Sequence, residues 1–200
     1  MQGEQVKQLT MPGITPTVHH AKGDRDALDR YYTPQQLAGD LLDLLPWYES
    51  GPCVVLEPSI GGGAFARHVK AIPQCEKLIG VDLDPWPDWI VGNPPYAVAE
   101  EHVRKAIGVA PRVAFLLRLA FLESLERIPF WKEHPCRTVW VLSKRPSFTG
   151  GGSTDSCPYG FFFWDRSPVG DALSATHGTE LRHFFPPARF ETGTSDHAVD

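Results

Sequence analysis

Hydrophobic positions along this chain fall into short unbroken runs, separated by segments with helical spacing. Cys53-Val54-Val55-Leu56, Leu78-Ile79-Gly80-Val81, Trp89-Ile90-Val91, and the stretches 112–117 and 138–143 are such runs. Continuous apolar runs of this length mark strands covered on both faces. Between them, 35–45 carries Leu37, Leu41, Leu42, Leu44 and Leu45 at near-helical spacing, and 64–71, 100–107 and 120–128 also predict helices. Thr33 before Pro34 is a helix start, a hydroxyl cap followed by proline in the first turn. The alternation predicts an α/β fold with a mostly parallel sheet. An aromatic-rich run, 159–164, adds a last strand that hairpins back, antiparallel, on the one before it.

Two breaks in this pattern carry chemistry. Trp89-Ile90-Val91 runs into Gly92-Asn93-Pro94-Pro95-Tyr96, and the two prolines force the chain out of the sheet at Asn93 in a stiff turn. The carboxyl ends of strands are where open α/β sheets bind ligands. The Asn93 side-chain oxygen and the Pro94 carbonyl can accept from the two N–H groups of a planar amine while Tyr96 stacks on its face. The plainer alternative is a Pro-Pro turn closing a strand. Upstream, the first strand ends in Glu57, and Pro58-Ser59-Ile60-Gly61-Gly62-Gly63 leads into the helix at 64–71. Glycines between strand and helix let a ligand approach the backbone closely. The second strand again ends in an acid, Asp82, the position from which such folds hold a ribose diol. Either acid alone is an ordinary strand end, but the whole unit favours a nucleoside ligand. Only 83–88 separates this strand from the next, too short for a helical crossover. The two strands therefore either pair through a tight turn or are joined by extended chain running across the sheet.

Two hundred residues with 42% hydrophobic content support one domain with a sizeable core. The first 26 residues lack periodicity and predict a flexible arm, 27–165 the folded domain, and 166–200 an irregular extension with a disordered end. Net charge is −5, yet 102–145 holds nine Lys or Arg against three Glu, which predicts a basic face on an acidic body. A solvated helix face with scattered charges is the alternative. Cys53, Cys75, Cys136 and Cys157 are widely spaced, with no zinc-type pairing, so they read as reduced and no metal is expected. No apolar stretch reaches the ~20 residues of a membrane span, and the start lacks a signal-peptide apolar region, which points to a cytoplasmic protein.

With these elements placed, residues 31–164 resemble the class I S-adenosylmethionine-dependent methyltransferases, and within them the small phage or prophage DNA adenine-N6 methyltransferases. The resemblance rests on Tyr32-Thr33-Pro34, on Leu56-Glu57-Pro58 with the glycine loop to Phe65, on Val81-Asp82-Leu83-Asp84-Pro85, and on Asn93-Pro94-Pro95-Tyr96. It implies a Rossmann-like methyltransferase fold, S-adenosylmethionine as cofactor, and DNA as partner in a bacterial or phage-infected cytoplasm. It further implies that Thr33, Glu57, Pro58, Gly61, Gly63 and Phe65 surround the cofactor's methionine part, with Tyr32, Pro34, Asp84 and Asn93 also in the cofactor set. Asp82 would take the ribose hydroxyls. Asn93, Pro94, Pro95 and Tyr96 would form the catalytic turn that holds the target amine and base. Two departures stand out. The third-strand region is shortened, so the acid that usually contacts the cofactor's adenine is missing, with Asp84, Trp86 or Asp88 as its possible replacements. A target-recognition domain is also missing, since only about 35 residues follow Trp164.

In that family reading the base is flipped out of the duplex or already single-stranded. Phe148 or Trp164 would give a second wall, and Arg118, Lys144 and Arg145, with Phe148, would face the DNA. The same motif serves methyltransferases of RNA adenine and of protein glutamine, and a non-catalytic S-adenosylmethionine- or DNA-binding module is a further alternative. A monomer and a homodimer are both compatible with the sequence.

Overall fold

The computed structural model describes residues 31–59, 61–80, 87–148, 155–168, 170 and 178–186. Its strands are β1 (Cys53–Leu56), β2 (Cys75–Ile79), β3 (Trp89–Gly92), β4 (Arg112–Arg118), β5 (Thr138–Leu142), β6 (Tyr159–Asp165) and β7 (Glu180–Phe184). Its α-helices are α1 (Gln35–Leu42), α2 (Ala64–Val69), α3 (Ala99–Val109) and α4 (Ile128–Glu133). All seven strands form one sheet in the order β2-β1-β3-β4-β6-β5-β7. Only β6 is antiparallel to its neighbours, and it lies between β4 and β5. This is the mixed, mostly parallel α/β sheet with an antiparallel hairpin that the apolar runs predict.

The central strands are covered on both faces, which is why they read as unbroken apolar runs. Edge strand β2, by contrast, starts at Cys75, three residues before the expected run, and carries exposed Glu76 and Lys77. Along β6, Tyr159, Phe161 and Phe163 join the core under α1 and α2, while Phe162 and Trp164 join the core under α3. This is the two-residue period of a strand with both sides buried. Trp164 therefore belongs to the interior, where its indole N–H donates to the His134 carbonyl (3.1 Å) and its ring stacks on Trp131. It is not a wall of the base slot.

Of the two routes from β2 to β3, the chain takes the one across the sheet, since β1 lies between them and is parallel to both. On arrival, Asp88 bonds across to Val54: its amide donates to the Val54 carbonyl (2.8 Å) and its carboxylate accepts from the Val54 amide (2.7 Å). That carboxylate is at the amino end of the strands, opposite the ligand end, so Asp88 does not replace the missing adenine-contacting acid. Asp82, Asp84 and Trp86 lie outside the described residues, as does the 1–26 arm.

Three local differences from the sequence pattern have physical causes. Pro34, not Thr33, caps α1, and no side chain bonds the first turn. The helix expected over 120–128 is instead two 3₁₀ turns (Leu119–Leu122 and Leu125–Arg127), broken by Ser124 at φ 104°, and the α-helix starts only where Pro129 fits a first turn. The region 166–200 is not irregular throughout, because β7 pairs in parallel with β5. At the amino end of β4, buried Asp165 holds Arg137 (2.8 Å) and Arg112 (3.5 Å). Among the described residues, no helix is long and apolar enough to cross a membrane, and no His, Cys, Asp or Glu group could hold a metal ion.

Candidate active site

The carboxyl ends of β1, β3 and β4 lie at one edge of the sheet, together with the start of β6. Glu57 follows β1 directly, and its amide still donates to the Ile79 carbonyl (3.1 Å). Its side chain is 1% exposed, and Oε2 has no hydrogen-bond partner among the described residues. Burial pushes the carboxyl up from its ordinary 4.5 to about 8, with a hydrogen bond from the Ala66 amide opposing. The glycine loop wraps past it, with Gly61 (φ 47°) and Gly63 (φ 71°) in left-handed conformations that side chains resist. The Tyr32 ring lies against this loop, so that a Cβ on Gly62 would stand 3.3 Å from it.

Glu57 borders a narrow cleft with Tyr31, Tyr32, Thr33, Ser59, Gly61, Gly62, Ala64, Phe65 and Asn93. Six of the expected cofactor residues thus come together: Tyr32, Thr33, Glu57, Gly61, Phe65 and Asn93. Pro34, Pro58 and Gly63 do not line it; Pro34 and Gly63 cap α1 and α2. Tyr31, Ser59, Gly62 and Ala64 line it unforeseen. Sequence proximity to the Tyr-Thr-Pro and glycine motifs was the available signal.

The turn after β3 has the stiffness its prolines imply. Pro94 and Pro95 are buried, and the Pro95 carbonyl accepts from the Val98 amide (3.2 Å), starting a 3₁₀ turn at Tyr96. The Asn93 amide nitrogen donates to the Tyr31 carbonyl (3.0 Å), leaving Oδ1 buried with no partner among the described residues. The site therefore offers two acceptors, Asn93 Oδ1 and, once its carboxyl has lost its proton, Glu57 Oε2, with the buried Tyr96 hydroxyl beside Asn93 as a further polar group. The two acceptors suit ligands that carry N–H groups or positive charge.

The Tyr96 ring is enclosed. Tyr31 stacks on it (5.8 Å between centroids), Tyr159 tilts against it (5.5 Å) and the Arg118 guanidinium lies 5.0 Å from its centre. Phe148 packs 5.2 Å from both Tyr31 and Tyr159, which puts it at the slot as expected. Burial pushes the phenols of Tyr96 and Tyr159 well above their ordinary range, so both stay neutral and neither serves as a base near pH 7.

Arg118 is engaged within the chain. Its Nε donates to the Tyr159 hydroxyl (3.3 Å), its Nη2 stands 3.7 Å from Asp155, and Tyr159 in turn donates to Asp155 (2.6 Å). The expected basic face dissolves in the same way. Arg104, Lys105, Arg112, Arg118, Arg127 and Arg137 all pair with carboxylates, nearly all from outside 102–145. Lys144 and Arg145 are exposed just beyond β5, at the same edge of the sheet as Asn93.

No protein-family model matches the sequence, and no curated protein matches it. Solved structures do share its fold. A protein from Listeria monocytogenes, described as a class I S-adenosylmethionine-dependent methyltransferase, superposes with a TM-score of 0.57 at 10% identity, over 82% of this chain and 68% of that one. One from Vibrio vulnificus YJ016, described as a modification subunit of a type I restriction enzyme, gives 0.53 at 15% identity over 80% of this chain and 48% of its own. The M protein of the type I restriction enzyme EcoKI gives 0.50 at 14% identity over 70% and 45%. The chain spans about half the length of these two restriction-enzyme subunits. Strand order, the single antiparallel strand and these superpositions agree: the chain has the fold of the class I S-adenosylmethionine-dependent methyltransferases.

Proposed function

We propose that the protein is an S-adenosylmethionine-dependent methyltransferase acting on the N6 amine of adenine in DNA that is flipped or single-stranded. The observation that carries this reading is the pair of buried, unpartnered oxygens, Glu57 Oε2 and Asn93 Oδ1, bordering one cleft beside the Pro94-Pro95 turn. These acceptors fit the cofactor, whose ammonium and sulfonium groups are cations. Glu57, Thr33, Gly61 and Phe65 would hold its methionine part, and Asp82 its ribose. When bound, it supplies an electrophilic methyl group.

The rest is done by the turn after β3. The N6 lone pair of adenine is delocalised into the ring, which makes the amine a poor nucleophile. Asn93 Oδ1 and the Pro94 carbonyl, accepting from its two N–H groups, favour the pyramidal nitrogen that forms as the bond is made. This stabilises the transition state over the ground state. The nitrogen becomes acidic only once it carries positive charge, so no strong base is required, consistent with two neutral tyrosines at the site. Lys144 and Arg145, both exposed, would contact phosphate.

A second reading has an RNA adenine or a protein glutamine amide as the acceptor, and the ion-paired state of the basic stretch favours the protein acceptor within it. A purely binding module is disfavoured, since Asn93 lines the cleft. Incubation with labelled cofactor and, separately, DNA, RNA and bulk protein distinguishes these. Asn93→Ala should abolish transfer and leave cofactor binding nearly intact; turnover retained by this variant would sink the catalytic assignment.

A further inference from the structure

The space over Tyr96, where the target ring must stack, is filled by the chain's own Tyr31. We propose that the Tyr31 ring is a gate on the target slot: it occupies the face of Tyr96 that the target ring takes, and it turns out about its Cα–Cβ bond to admit the target. This deepens the methyltransferase reading and rests on it for the identity of the target.

Among the described residues, contacts with Tyr96, Phe148 and Arg118 hold the ring in place, the Arg118 guanidinium also lying 5.6 Å from its centre. The ring stacks on Tyr96 (5.8 Å, interplanar angle 26°), it packs against Phe148 (5.2 Å), and its hydroxyl meets Arg118 Nη2 at 3.5 Å. Arg118 is fixed in turn by the Tyr159 hydroxyl (3.3 Å). The backbone of Tyr31 is held independently, because its carbonyl accepts from Asn93 Nδ2 (3.0 Å). The ring can therefore leave while the carbonyl stays, and the Asn93 amide keeps its orientation, with Oδ1 presented to the incoming amine. A stack of neutral aromatic rings has an energy modest enough for another planar ring to replace it. The alternative is that Tyr31 is a fixed wall of the slot.

A fluorescent planar amine, 2-aminopurine, separates gate from wall, because stacking between aromatic rings quenches it. The full chain is titrated with the free base and with a single-stranded oligo(dA) carrying one 2-aminopurine, as wild type, Tyr31→Ala, Tyr31→Phe and Tyr96→Ala, each first shown to be folded by thermal melting. A gate predicts that Tyr31→Ala binds the free base about two- to tenfold more tightly than wild type, the range set by one aromatic pair. It also predicts that Tyr31→Phe stays within about twofold of wild type and that Tyr96→Ala loses binding. Weaker or unchanged binding by Tyr31→Ala overturns the gate. So does a Tyr31→Phe variant as open as Tyr31→Ala, which would assign the effect to the hydroxyl contact, and so does a lack of quenching in all four proteins. The gate pattern with the free base but no capture of the strand keeps the gate and removes the nucleic-acid reading.

Discussion

Replacing Glu57 with Gln tests the cofactor cleft without disturbing its shape. Burial holds the carboxyl at about 8, so at pH 7 roughly nine in ten of these groups are protonated. A cofactor that presents a cation binds the ionised form, and the proton must leave. Removing it at pH 7, one unit below that value, costs about 1.4 kcal/mol. A charge-assisted hydrogen bond returns about 1.5–3 kcal/mol. The difference is small, so Glu57→Gln should weaken cofactor binding at pH 7 by no more than about tenfold. The larger effect is on pH dependence. Wild-type affinity should rise about tenfold between pH 6 and pH 7 as the ionised fraction grows, and the variant should stay flat. Calorimetry in two buffers of different ionisation enthalpy should show wild type releasing about 0.9 proton per cofactor bound at pH 7 and the variant releasing none. Wild-type binding that is independent of pH, with no proton released, would refute the reasoning. The same group sets stability without cofactor. Its folded value lies above its ordinary 4.5, so the folded chain holds a proton that the unfolded chain has lost between about pH 4.5 and 8. Stability falls across that window, by at most about 5 kcal/mol, and is level on either side. Glu57→Gln should remove this slope from a series of urea titrations.

Three further predictions address other parts of the molecule. Asp82→Ala should weaken the cofactor by about 1.5–3 kcal/mol through loss of the ribose contact; an unchanged dissociation constant would move that role to Asp84. Replacing Lys144 and Arg145 by Ala should weaken DNA of every sequence about equally and flatten the log–log salt slope by roughly 1.4–1.8; an unaltered slope would place the phosphate contacts elsewhere. Asp165→Ala should cost on the order of 3 kcal/mol in chemical denaturation, because it strands Arg112 at the amino end of β4 and leaves Arg137 with Glu49 alone. Cofactor binding at low temperature should be unaffected, since that end of the sheet is opposite the cleft.

The middle of the sheet was legible because its strands are buried on both faces. Runs such as Val113 to Leu117 and Phe161 to Trp164 admit no other placement, and paired prolines mark where β3 must stop. β7 was not legible, since four of its five residues are exposed and only Phe184 reaches the core; its position comes from pairing with β5. The break at Ser124 was hidden too, because serine does not announce a positive φ. At the site, the residue types of Glu57 and Asn93 signalled their chemistry. The neighbours of Tyr31 and Arg118 did not, since a tyrosine stacked on a tyrosine 65 positions later and an arginine neutralised by Asp155 are products of the tertiary fold. Charge counted along 102–145 misled for the same reason: most of its partners, among them Glu49, Glu100, Asp155 and Asp165, lie outside that stretch.

The insertion of β6 between β4 and β5 constrains the order in which the protein assembles as it leaves the ribosome. Both neighbours of β5 in the sheet, β6 and β7, are made after it, so this strand emerges with its hydrogen-bonding edges open and no place in the growing sheet. The strands of the parallel block β2-β1-β3-β4 are all made before β5, so the residues that border the cofactor cleft are present while the chain is still being extended, but the core beneath them waits for Phe161 and Phe163 of β6. The slot over Tyr96 waits for Tyr159, which arrives at the start of β6. Long-range pairing of this kind slows folding and leaves strand edges exposed in the interval. A nascent chain halted between β5 and β6 would carry an open edge of Thr138–Leu142, and that edge is where aggregation during synthesis would begin.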